Sequence, residues 1–154
     1  MGLRQVAPFR MAREPRWGAR GILQLNWVFD EFFVVPGVWS SIFQSRGIAS
    51  RPVMGVRDEP LKSVVQLAIG DEIEVATDGL DSSVCHRCRH KRYSIPLVGF
   101  APRVLASSES PSLVKSRQWF GNGSRAFRLV FARQDLRRAV LSEQVRGASF
   151  RPCA

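Results

Sequence analysis

The one concentration of reactive side chains in this chain is Cys85-His86-Arg87-Cys88-Arg89-His90, which holds two of its three cysteines and both of its histidines. Cys85, Cys88 and His90 are ligand types that zinc accepts, and one tight loop could present all three. A closed structural site needs a fourth. There is no second Cys-x-x-Cys and no histidine pair elsewhere, so Cys153 would have to come from the far end or His86 would have to bend back. Arg87, Arg89, Lys91 and Arg92 oppose a divalent ion, while the same positive field favours thiolates. The expectation is therefore no metal, with Cys85, Cys88 and His90 as the candidate ligands should one bind. A redox dithiol normally sits where a strand leads into a helix, but Tyr93-Ser94-Ile95-Pro96 reads as extended. Covalent haem attachment requires histidine directly after the second cysteine, and Arg89 stands there. A solvated basic loop with reduced cysteines is the plain reading.

Other catalytic patterns are missing from the sequence. There is no phosphate-binding loop ending in Gly-Lys-Ser/Thr, no Gly-x-Gly-x-x-Gly, no His-Glu-x-x-His and no serine elbow. Asp30-Glu31, Asp58-Glu59 and Asp71-Glu72 read as turn and helix-surface charges. The chain is expected not to be an enzyme and to carry no cofactor.

Charge points to a partner class. Lys and Arg number 23 against 13 acids, a net charge of +10, and all the cations except Lys62, Lys91 and Lys115 are arginine. Guanidinium groups pair bidentately with phosphate and stack on bases. The middle of the chain is mildly acidic, whereas Arg87, Arg89, Lys91, Arg92 and Arg103 fall between residues 82 and 103 without an acid among them. Residues 82–103 and 113–138 also interleave cations with Tyr93, Phe100, Trp119, Phe120, Phe127 and Phe131, the combination that grips single strands. Arg87, Arg89, Lys91, Arg92, Arg125 and Arg128 are the candidate nucleic-acid-binding residues, with RNA or another polyanion as partner. No helix-turn-helix, finger or aromatic ribonucleoprotein motif is present, so recognition would be of the backbone rather than of sequence. A competing reading needs no partner at all: Arg, Gly, Ala and Pro come from GC-rich codons, and base composition alone yields such a chain.

The elements that must position these residues follow from periodicity. Leu25, Val28, Phe29, Phe32 and Phe33 lie at helical i, i+3, i+4, i+7, i+8 spacing, which predicts a helix ending before Pro36. Leu61–Ile69 and Glu72–Thr77 flank Gly70-Asp71 and read as a hairpin. Tyr93–Phe100 is a third strand candidate weakened by Pro96. Leu113–Phe120 and Arg125–Phe131 bracket Asn122-Gly123, a strong hairpin signal. Gln134–Arg146 reads as a helix stopped by Gly147.

The fold class these elements imply is α+β: a small hairpin-based antiparallel sheet with an N-terminal and a C-terminal helix and a flexible basic N-terminal arm. Residues 1–20 form that arm or a mitochondrial presequence, with five arginines and one acid among small and apolar residues. Residues 21–154 form a single domain, with a Ser-rich connection over residues 106–112. The most apolar stretch, Gly21 to Phe43, carries Gln24, Asn26, Asp30, Glu31 and Pro36, which argues against a membrane span. A mitochondrial location is favoured over a cytoplasmic one on the arginine-rich N-terminus. Three functions remain in play: a nucleic-acid or ribonucleoprotein-associated binding protein, a non-catalytic interaction or structural protein, and a reading frame with little selected function.

Overall fold

The computed structural model describes residues 5–26, 28–95, 99–105, 110–122 and 126–154. Strands dominate from the start. β1 (Ile22–Leu25) and β2 (Val28–Val34) pair antiparallel, Ile22 opposite Val34 and Gln24 opposite Phe32. The helix expected over this segment is thus replaced by two strands. Apolar residues in succession suit a strand covered on both faces just as they suit one face of a helix. Phe33 and Val34 are both fully buried, but in separate cores on opposite faces of the sheet.

With β3 (Ser50–Met54) and β4 (Pro60–Leu67), these strands make a four-stranded sheet ordered β1-β2-β4-β3. One face buries Phe33, Val53 and Val64 beneath Phe9, Met11 and Trp17. Phe9 meets Phe33 edge-on at 5.1 Å between ring centroids. The Met54 N–H donates to the Phe9 carbonyl at 2.8 Å, and the Met11 N–H donates to the Met54 carbonyl at 2.9 Å. The Glu14 carboxylate accepts from the backbone N–H groups of Lys62 and Ser63 and from the Ser63 hydroxyl. These bonds hold the Glu14 carboxyl below its usual range. Residues 5–20 therefore lie on the sheet as a cover, not as the flexible arm expected.

The other face packs Ile22, Val34 and Leu67 against two helical segments. The first runs from α1 (Pro36–Val38) through a π turn (Trp39–Phe43) and a 3-10 turn (Gln44–Arg46). Pro36 presets the first helical φ, and Gly47 ends the run at φ 74°, where a side chain is disfavoured. The second is α2 (Gln134–Ser142), which buries Leu136 and Val140 and stops short of the expected Arg146.

Two three-stranded sheets complete the fold. One is ordered β10-β8-β5, from β5 (Glu72–Ile73), β8 (Leu113–Ser116) and β10 (Val130–Ala132); the other is ordered β6-β7-β9, from β6 (Ser82–Val84), β7 (Lys91–Tyr93) and β9 (Trp119–Phe120). The hairpin expected across Gly70-Asp71 is absent, since both edges of β4 are taken by β2 and β3. β5 instead runs parallel to β8, Glu72 opposite Lys115. The α+β expectation of one hairpin sheet between two terminal helices thus gives way to three separate sheets with one short internal and one C-terminal helix.

The segments flanking Asn122-Gly123 do face each other. Phe120 and Phe127 exchange backbone hydrogen bonds of 2.8 and 2.9 Å, and Lys115 lies opposite Val130. Gly123, and Arg125 among the candidate binding residues, lie outside the described residues, as do residues 106–109 of the Ser-rich connection. Among the described residues, no helix is long and apolar enough to cross a membrane.

Candidate nucleic-acid interface

The Cys-His-Arg-Cys-Arg-His cluster is the loop of the β6–β7 hairpin. Val84 pairs with Lys91, so the six residues between them form the connection. The Cys85 N–H donates to the His90 carbonyl at 3.0 Å, and the Arg89 N–H donates to the Cys85 carbonyl at 2.8 Å. Arg89 adopts φ 56°, the left-handed geometry that reverses the chain back into β7. Arg87, Arg89 and Lys91 are exposed on this hairpin and Arg92 is half-buried.

β7 lies parallel to β9, with Arg92 directly beside Trp119 and Tyr93 beside Phe120. Because strand side chains alternate, two faces of different character result. On one, Tyr93 packs on the fully buried Phe120 at 6.0 Å, and the Lys91 ammonium sits 5.0 Å from the Tyr93 ring. On the other, the half-buried Trp119 is flanked by two cationic or titratable groups. His90 meets it edge-on at 6.1 Å and the Arg128 guanidinium lies 5.5 Å from its ring centre. Arg92, His90, Trp119 and Arg128 thus form one basic aromatic face, with Arg87 and Arg89 at the adjoining loop.

Arg128 is not a free phosphate ligand. Its guanidinium pairs with Glu72, and its Nε lies 3.6 Å from the Asp30 carboxylate. This tethers it above Trp119 and fixes the ring's position. Of the other candidates, Phe100 is exposed elsewhere, while Phe127 packs on Phe29 at 5.2 Å.

The ion pairs behind this face were read from sequence as surface charges, and that reading does not hold for Asp30 and Glu31. Between Gln24 and Leu25 the β1–β2 register shifts, so that Phe29, Asp30 and Glu31 have no opposite residue in β1. Such a bulge re-aims side chains. Here Lys115, only 2% exposed, sits 2.5 Å from Glu31 and 3.8 Å from Asp30. The second Glu31 oxygen accepts from Gln66 at 2.8 Å, and Gln66 also pairs with Gln5. One signal existed: a lysine in the apolar stretch Leu113-Val114-Lys115.

For the cysteines, the hairpin brings Cys85 and Cys88 together. The Cys85 sulfur is approached by the backbone N–H groups of Cys88 and Arg87 and by the Cys88 thiol, which bring its pKa down to about 7. Cys153 lies away from them beside Ala101, and burial pushes its thiol up. No disulfide joins Cys85, Cys88 or Cys153 among the described residues. Among the described residues, no three Cys, His, Asp or Glu side chains are grouped so as to hold a metal ion. Compared with known proteins, the chain matches no family model, no curated protein and no solved structure.

Proposed function

We propose that this chain is a non-catalytic binding protein for single-stranded RNA or a similar polyanion, using the β6–β7 hairpin and Trp119. The observation that carries this is the placement of Trp119 between His90 and Arg128, in register with Arg92, beside a loop exposing Arg87 and Arg89. A base can stack on a held indole while guanidinium groups take the neighbouring phosphates. Binding is favoured over catalysis because Asp30, Glu31 and Glu72, the acids behind this face, are committed to Lys115 and Arg128. The face offers cations and a π surface but no set of donors and acceptors arranged to read base edges, so little sequence preference is expected.

Fluorescence anisotropy with a short labelled single-stranded RNA tests this. If Arg87 and Arg89 each neutralise one phosphate, affinity falls about sevenfold between about 50 and 200 mM salt. Arg87→Gln with Arg89→Gln flattens that slope. Trp119→Ala weakens binding by about 1–3 kcal/mol at fixed salt. Absence of binding at low salt, or binding that neither substitution alters, refutes the proposal and leaves the non-catalytic interaction reading in its place.

A further inference from the structure

We propose that Cys85 and Cys88 form a peroxide-reactive dithiol, with Cys85 as the attacking sulfur and Cys88 as the resolving one. This inference rests on the hairpin loop alone and is independent of the nucleic-acid reading.

The loop geometry assigns the roles. A turn closed by the Arg89 N–H on the Cys85 carbonyl folds residues 85–89 back on themselves. Residues three apart in such a turn have Cα atoms within about 7 Å, inside the reach of a disulfide. The Cys88 thiol donates toward the Cys85 sulfur. The asymmetry comes from the backbone. N–H groups of Arg87 and Cys88 converge on the Cys85 sulfur, and a sulfur that accepts such bonds is stabilised as the thiolate, the nucleophilic form. Cys88 is exposed. Arg92 adds positive field at the Cys85 sulfur.

The chemistry balances with a hydroperoxide as the oxidant. The Cys85 thiolate attacks the distal peroxide oxygen; an S–O bond forms, the O–O bond breaks, and the departing alkoxide or hydroxide takes a proton from water. Cys85 is then a sulfenic acid. The Cys88 sulfur attacks the Cys85 sulfur, the S–S bond forms, and the S–O bond breaks. Hydroxide leaves as water with the proton from the Cys88 thiol. Two thiols have lost two electrons to one peroxide.

The contrast with Cys153 provides an internal standard, because burial disfavours its thiolate. At neutral pH a thiol with a pKa of about 7 is half ionised. Allowing for its lower intrinsic nucleophilicity, it reacts at least about threefold faster than an ordinary thiol. The test treats the purified full-length chain with hydrogen peroxide, then blocks remaining thiols and maps them by mass spectrometry over time. The parent is expected to lose two hydrogens in an intramolecular Cys85–Cys88 disulfide while Cys153 is still reduced. Cys88→Ser is expected to stall at a Cys85 sulfenic acid that dimedone captures. Cys85→Ser is expected to slow oxidation of Cys88 by at least about threefold, and Cys153→Ser is expected to match the parent. Oxidation at Cys88 or Cys153 first, disulfides between separate chains instead of within one, or one zinc per chain held by the pair and shielding it from peroxide would each overturn the proposal. The parent time course decides the assignment even if a serine variant is unstable.

Discussion

Replacing Lys115 by Met removes one charge from the interior and retains most of the side-chain volume. Lys115 is 2% exposed, and its ammonium is 2.5 Å from Glu31 and 3.8 Å from Asp30. At an effective dielectric of about 20 those separations correspond to attractions of about 7 and 4 kcal/mol, opposed by several kcal/mol of desolvation per ion. The net of the pair is small, but Lys115→Met leaves Glu31 desolvated with only the Gln66 amide as partner. Removing one member of a buried pair in this way destabilises by about 3–5 kcal/mol. At about 2–4 °C per kcal/mol for a chain of this size, the melting temperature falls by roughly 10 °C. Differential scanning calorimetry and urea unfolding of the parent, Lys115→Met, Glu31→Gln and the double variant close a mutant cycle. The double variant should recover at least half of the loss, since neither charge is then stranded. A single variant within about 1 kcal/mol of the parent, or a double variant no better than the single, would show that Lys115 reaches solvent and that β8 does not dock on the β2 bulge.

Two further predictions concern the supports of this fold. Gly147 has φ 105° and a Cβ there would lie 1.9 Å from the Ile22 carbonyl oxygen, so Gly147→Ala is expected to destabilise by about 2–4 kcal/mol. Gly18→Ala, at φ 55° with open space around it, should lose only about 1 kcal/mol in the same melt; equal effects would contradict the placement of Gly147 against β1. Glu14 is the second case. Because its folded-state pKa is lowered, the stability it contributes is present above the ordinary value of 4.5 and is lost as pH falls through the folded value. Glu14→Gln should therefore lower stability at neutral pH by a small amount and make the acid limb of the stability curve shallower. An unchanged acid limb would mean that residues 5–20 are not seated on β4.

Some features were legible from the residues alone because their cause is local. The C-terminal helix was legible over Gln134–Ser142, but it ends before Gly147: the chain leaves it at Glu143 and Gln144, the latter at φ 53°. The apolar runs around Asn122-Gly123 meet through Phe120 and Phe127 because they are near in sequence and joined by a turn-forming stretch. The density of Arg87, Arg89, Lys91 and Arg92 was likewise visible without a fold. What tertiary structure alone decided is which strands are neighbours. The spacing of Leu25, Val28, Phe29, Phe32 and Phe33 satisfies a helix and a doubly covered strand equally, and only the cover from Phe9, Met11 and Trp17 on one face, with Val34 buried on the other, makes the strand the lower-energy choice. Gly70-Asp71 could have closed a hairpin, yet β4 has no vacant edge to receive β5. Trp119 comes to rest between His90 and Arg128, and Lys115 between Asp30 and Glu31, through contacts spanning 9 to 85 residues of chain. Local periodicity carries no information about such pairings, because what selects them is the joint burial of apolar surface and the requirement that each buried charge find a partner.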